Sequence, residues 1–457
     1  MKTQSVRGLK RLAATLLGIL MIGCARYHSA PLPSAPDLSS TPVLTAPRTQ
    51  FLLPGLSPHH LPQDGLDETT IITLAVFNDP ELKAARLQSG VADAQLLEAG
   101  LIPDPQLSAG IAASALHYGY SLGVAEDIQA LLLRGTAKKE AIAHQRQINL
   151  NILWQEWQVA ERARELFIQA RADEELQVVL NRSRKLRSDQ YQHDEAALQE
   201  GNVTSVTTSA DITVLADADT SLRQYQLDSN RSRHTLNQLL GLQPDVELKL
   251  TGPRSLKVLS AADLQSAVAQ LPKRRVDLVA LQAGYQSQEE NLRRAILAQF
   301  PSLSAGVEQG RDPAEGISSA GLNVSLTLPI FNRNKGQIAI QSATRELLRH
   351  TYQAQLDLAS NQADLVWRTT QILQKQLGDL DEQLAVLEQT ATVAGTSFHQ
   401  NDLNAALYVT LQSSLLSKQL EEIRLRATLD KAQAALATIL GLPFEVPQQN
   451  SLAKKSN

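Results

Sequence analysis

Few residues of this 457-residue chain have the type and spacing to do chemistry. The carboxylate pairs Glu289-Glu290 and Glu421-Glu422 are adjacent in helical sequence, so their side chains diverge by about 100° and do not converge on one substrate. His59-His60 lies in a proline-rich stretch and reads as solvated surface, while His350 and His399 stand alone on helical runs. Cys24 is the only cysteine, which rules out an internal disulfide. There is no phosphate loop, no HExxH and no GxSxG elbow. Neither an enzyme nor a bound metal or cofactor is expected. What remains are polar residues that interrupt long helical runs: Gly201-Asn202 and Asn401-Asp402, with Asp211 close by. Carboxylates repeated around a symmetric opening would favour cations, so Asp402 and Asp211 are candidates for such a gate. The plain alternative for each is a turn residue or a helix cap.

These breaks acquire meaning from the elements around them. Aromatics are 4% of the chain, and Ala, Leu and Gln dominate its middle, a bias towards long amphipathic helices. The 43 basic residues nearly balance the 47 acidic ones, so no nucleic-acid partner is implied.

The N-terminus reads as a targeting segment. Lys2, Arg7, Lys10 and Arg11 precede an apolar run from Leu12 to Ile22 that is too short to span a bilayer. Met21-Ile22-Gly23-Cys24 resembles the bacterial lipobox, with Met in place of the usual Leu. The resemblance implies a signal peptide over 1–23 and a covalent lipid, palmitate included, on Cys24. Both methionines, Met1 and Met21, fall in that segment, so the mature chain offers no thioether relay for copper. No other stretch has eighteen consecutive apolar residues, so a membrane crossing would have to be a closed barrel.

Residues 24–65 are rich in Pro and Ser and read as an extended arm. Helices are expected from Asp67 and again from Asn78-Asp79-Pro80-Glu81-Leu82. From Gln106 the apolar period falls to two, giving a strand to Ala115, a turn at His117-Tyr118-Gly119 and a second strand from Tyr120 to Val124. After Leu131 to Thr136, a helix runs to Glu200. At about 1.5 Å per residue its 65 residues reach roughly 100 Å. Gly201-Asn202 breaks it, and a second helix runs from Val203 to Leu240.

The order then repeats. Arg275-Val276-Asp277-Leu278 stands where Asp79-Pro80-Glu81-Leu82 stood, Pro301 echoes Pro103, and Leu440-Gly441-Leu442 answers Leu240-Gly241-Leu242. This is an internal duplication: a first repeat over 66–242, an insert over 243–262 with a strand-like Val246 to Leu250, a second repeat over 263–443 and a tail over 444–457. In the second repeat, strands are expected over Leu303 to Glu308 and Gly316 to Leu328. Leu322, Val324, Leu326 and Leu328 alternate there with small or polar residues. Pro329 ends the ladder, and Asn332, Asn334 and Gly336 supply turn chemistry. A helix with Ile340, Ala343, Leu347 and Tyr352 on one face follows from Gly336 to about Gln400, then another to Leu440.

Four alternating strands cannot close a barrel, since about eight are the minimum, but three copies would give twelve. The stretch Leu328-Pro329-Ile330-Phe331-Asn332-Arg333-Asn334-Lys335-Gly336, with Asn78 to Leu82 and the twin Leu-Gly-Leu endings, resembles the outer-membrane efflux protein family typified by TolC. The likeness covers residues 65 to 445. It implies a mainly α fold with a membrane β-barrel: a homotrimer with a 12-stranded barrel in the outer membrane, four strands per chain, above a long periplasmic α-helical barrel. It also implies a passive duct whose tip, at Gly201, Asn202, Asn401 and Asp402, meets a periplasmic adaptor and an inner-membrane pump. Pro329, Phe331, Arg333 and Gly336 would form the strand-to-helix collar. The segment Asn78 to Gln106 also looks like members paired with heavy-metal or cation pumps. A non-conducting coiled-coil lipoprotein bridging envelope layers, and a type I protein-secretion duct, are the other readings left open.

Overall fold

In the computed structural model, residues 27–44, 65–113, 118–252, 260–312, 315 and 317–442 are described. Cys24, the segment 1–23, His59-His60, the turn at His117 and the tail 444–457 lie outside them. The chain divides into two compact units, 1–38 and 39–457. The described part of the first, 27–38, contains neither helix nor strand.

Each repeat is built the same way. Asp67 caps α1 (Glu68–Asn78) by accepting from the Thr70 amide at 2.8 Å. Asp79 caps α2 (Pro80–Gly100) by accepting from the Leu82 amide at 2.7 Å, with Pro80 in the first turn, where its missing N–H costs nothing. Strands β1 (Gln106–Ala113) and β2 (Tyr118–Asp127) follow, then α3 (Ile128–Gln199) and α4 (Ser205–Leu239). The second repeat comprises α5 (Ala261–Arg274), α6 (Val276–Leu297), β3 (Ser302–Arg311), β4 (Ser318–Thr327), α7 (Lys335–His399) and α8 (Ala405–Ile439).

Two glycines show that the duplication is three-dimensional. Gly241 and Gly441 end α4 and α8 with φ of 65° and 63°, the left-handed cap that glycine takes most easily. A Cβ on Gly241 would lie 3.0 Å from the Asn78 carbonyl oxygen, and one on Gly441 would lie 3.1 Å from that of Arg274. Each Leu-Gly-Leu ending therefore docks on the last residue of the first helix of its own repeat, Asn78 of α1 or Arg274 of α5. Two apolar clusters flank these contacts. One gathers Ile71, Leu74, Phe77, Trp157, Phe167 and Leu240, the other Leu264, Leu271, Leu278, Ala359 and Leu440. Helix α1 is buried throughout Ile71–Asn78, as befits a helix apolar on every side. Trp157 lies in the first cluster, while Trp154 and Trp367 pack at the edges of the two.

Three local expectations change. No turn separates β2 from its helix: Asp127 ends the strand and caps α3, accepting from the Ala130 amide at 3.0 Å. Leu131 to Thr136 thus lies inside α3, and the helix starts at Ile128 because one capping Asp suffices where no proline intervenes. Val246 to Leu250 is not a strand; only Leu250 bridges, to Leu66. Gly336 supplies no turn conformation, since the positive φ values fall on Arg333 (48°) and Asn334 (52°).

Candidate functional site: the collar, the sheet faces and the hairpin tips

The collar holds by backbone chemistry. After Pro329, the Ile330 amide donates to the Leu328 carbonyl at 2.9 Å and the Lys335 amide to that of Asn332 at 3.0 Å. Asn334 gives α7 no side-chain cap; its Nδ2 instead donates to the Ala295 carbonyl at 2.7 Å, tying the collar to α6. Asparagine is among the few residues that tolerate this left-handed conformation. Phe331 projects almost wholly into solvent, 95% exposed, and Phe300 is also exposed. Both stand at the helix end of the sheet, with exposed Tyr120 near the opposite end.

The sheet is antiparallel in the order β1-β2-β3-β4, with both outer edges unpaired among the described residues. Its register sorts most of the side chains by polarity, with Glu126 and Arg311 at the two ends of the more apolar face. Leu107, Val124, Val307 and Leu322 form one row across all four strands, and Leu303 and Leu326 extend the same face. All of these but Leu303 are exposed, Leu322 at 85%. The other face carries Ser108, Gly110, Ser121, Gly123, Gly306 and Ser325. Glu308 lies on that small-residue face, paired with Gly123 on one side and Gly321 on the other. A Cβ on Gly123 would touch the Glu308 Cγ at 3.7 Å. Apart from Asp127 at the base, Glu308 is the only charged residue on this face among the described strand residues. A band that is apolar on one side and small and polar on the other suits lipid outside and water inside.

At the far end of the helices, Gly201 (φ 79°) and Asn401 (φ 63°) occupy the same left-handed turn. The Asn202 amide donates to the Ala197 carbonyl at 2.8 Å, and the Asp402 amide to that of Ser397 at 2.8 Å. Thr204 and Asn404 then cap α4 and α8. Asp402 is exposed. Asp211 is not at the turn. It faces Asp194 of α3, and the pair sits beside Arg187, with Gln190 donating to Asp194. Burial, then the hydrogen bond and charge of Asp194, push Asp211 up to about 6 against the pull of Arg187. Nothing local marks Asp194, but it and Asp211 lie eight and nine residues on either side of Asn202, the signal of a pair that meets when a hairpin closes. The second hairpin has a different fastening: Phe398 and Tyr408 stack with ring centroids 4.5 Å apart and planes within 6°. Among the described residues no three His, Cys, Asp or Glu are grouped to hold a metal. No described helix is long and apolar enough to cross a membrane.

The chain superposes on VceC of Vibrio cholerae with a TM-score of 0.67, at 17% identity, over 83% of this chain and 97% of that one. This is the fold of the TolC-like outer-membrane channels. MtrE of Neisseria gonorrhoeae, solved in an open state, gives a TM-score of 0.69 at 16% identity, over 86% and 98%. CmeC of Campylobacter jejuni gives 0.68 at 14%, over 89% and 95%. MtrE and CmeC are outer-membrane channels, and VceC is an outer-membrane protein. No family model matches the sequence. One curated relative, toxin and drug export protein A of Aggregatibacter actinomycetemcomitans, is 27% identical over 174 residues, 36% of this chain. The match spans 38% of that relative's length.

Proposed function

We propose that this chain is the outer-membrane component of a tripartite efflux system. It is a homotrimeric duct that passively conducts substrates from a periplasmic adaptor and an inner-membrane pump to the exterior. One observation carries the reading: a four-stranded sheet, apolar on one face and small and polar on the other, unpaired at both edges and mounted on helices of 72 and 65 residues. A purely bridging coiled coil has no use for such a sheet. Three copies supply twelve strands, enough to close a barrel where four are not. The helices then hang into the periplasm and end at Gly201, Asn202, Asn401 and Asp402, which form the closable tip. The targeting segment and Cys24 support export to the outer membrane with a lipid anchor, which fastens the chain without spanning anything. The name of the curated relative, an export protein, agrees with this role.

The test is electrical. Purified trimer in a planar bilayer should pass ion currents, and Asp402→Ala should raise the open fraction or admit antibiotics that wild type excludes from cells. A trimer that never conducts would overturn the channel reading, and an unchanged Asp402→Ala variant would remove Asp402 from the gate.

A further inference from the structure

Just beyond the strand ends, apolar side chains remain exposed: Phe300, Phe331 and, one turn into α3, Leu132 at 75%. Cations follow them directly. The sequence from Ile128 to Lys139, at the start of α3, holds Arg134, Lys138 and Lys139 and no carboxylate. That from Leu328 to Thr344, the collar and the start of α7, holds Arg333 and Lys335 and again no carboxylate. Arg134 is engaged at the Gly100 carbonyl, but Lys138, Lys139, Arg333 and Lys335 are exposed. Farther down the same two helices cations come with acids, as in Arg162–Glu165 at 2.6 Å and Arg368–Asp364 at 2.8 Å. Helix stability does not ask for this pattern. Lys335 is the first residue of α7, where the dipole disfavours a cation, whereas α1, α2, α5 and α6 each carry a carboxylate in the first turn.

Resting on the membrane-spanning duct of the proposed function, we infer that this collar is a docking surface for anionic phospholipid headgroups of the periplasm-facing leaflet. Depth favours that partner. Lys139 lies twelve residues past Asp127, the end of β2, or about 18 Å along the helix axis. A helical lysine stem leans back towards the N-terminus of its helix, here towards the sheet. The headgroup layer adds roughly 5–7 Å beyond the hydrocarbon on each side, so the ammonium comes within a screening length of about 8 Å of the phosphates. Lys335 opens its helix and lies nearer still. The side of the helix agrees as well. Lys139 stands on the stripe of α3, through Ile142, Arg146 and Leu150, that lower down packs Leu153 and Trp157 into the cluster holding α1. A duct keeps α1 off its lumen, so this stripe faces outwards, towards lipid and periplasm. Aromatic and leucine side chains then meet the acyl boundary, and the cations below them meet the phosphates.

Spin-labelled lipids test the surface in the full-length protein reconstituted into vesicles. Labelled phosphatidylglycerol should associate with the protein about fivefold more strongly than labelled phosphatidylcholine, the effect of one cation at an anionic surface. The preference should disappear in about 1 M salt, where screening is nearly complete. Lys138→Gln/Lys139→Gln/Lys335→Gln should lose it at low salt, and Lys138→Arg/Lys139→Arg/Lys335→Arg should keep it. A protein that neither inserts nor conducts overturns the duct and this inference together. A conducting protein without the preference, or with one that survives the glutamine substitutions or high salt, overturns the inference alone.

Discussion

Arg134 and Asn334 hold equivalent places 200 residues apart, and each donates to a main-chain carbonyl at the end of the short helix before its strands. Arg134 Nε reaches Gly100 at 2.8 Å, and Asn334 Nδ2 reaches Ala295 at 2.7 Å. The two side chains differ, but both satisfy carbonyls that a helix C-terminus leaves orphaned. Asn334→Gly, which keeps the backbone and loses the bond, should cost about 1 kcal/mol. Asn334→Val should cost about 2–3 kcal/mol, because a β-branched residue does not tolerate the positive φ. Denaturant unfolding checks both values, and amide exchange at the end of α6 should show where the loss falls.

The tips should differ in their tolerance. Gly201→Ala places a Cβ on a left-handed residue at about 1 kcal/mol, whereas Asn401→Gly should cost nothing. Hydrogen exchange at Asn202 and Asp402 reads each turn separately.

The buried pair Arg86–Glu156 links α2 to α3. Arg86 Nη2 and Nε lie 2.7 and 3.0 Å from Glu156 Oε1, with side chains 5% and 0% exposed. Removing one partner strands a buried charge, so Glu156→Ala should cost about 3–5 kcal/mol, and Arg86→Met/Glu156→Leu should recover most of it. A double variant no better than the single one would show that the pair itself holds the helices.

The Asp194–Asp211 contact makes the first hairpin sensitive to pH. The folded-state value of Asp211 is raised from 3.8 to about 6, so folding favours the protonated form. Its contribution is complete below the unfolded value and is lost as pH rises through 6. Exchange protection along α3 and α4 near the tip should fall over that window. Asp211→Asn should remove the dependence while leaving the response of Glu161, raised to about 7 chiefly by its burial.

Glu308, flanked by Gly123 and Gly321 on the polar face, should set ion preference inside a closed barrel. Three copies would form a carboxylate ring with no basic residue on the same face of the described strands, since Arg311 of β3 lies on the opposite face. Glu308→Gln should lower the cation-to-anion permeability ratio, by about twofold or more, and shift the reversal potential in a salt gradient accordingly. An unchanged reversal potential would deny the ring that role.

Much of the fold was legible because the marks that delimit it are local. Asp79-Pro80, Gly201-Asn202 and the Leu-Gly-Leu endings act on backbone within a few residues, and each sits where its chemistry implied. The start of α3 was hidden because its only signal is Asp127, a cap that also continues the strand. The Asp194–Asp211 pair and the Phe398–Tyr408 stack join residues on different helices, so no single window of sequence contains them. The stripe of Ile340, Ala343, Leu347 and Tyr352 was visible as a face, but only Tyr352 meets a core within its own chain.

The unpaired margins of the sheet also dictate an order of events during biogenesis. A solitary chain entering hydrocarbon would carry two rows of main-chain amides and carbonyls with nothing to bond them, at several kcal/mol per group. Held in water, it would present a flat apolar ribbon with sticky borders, the kind of template on which other chains misassemble. On the proposed trimer, chains would have to find one another before or during insertion, and supply would have to be matched to capture. Overproduction without that capture should yield aggregates, not monomeric pores.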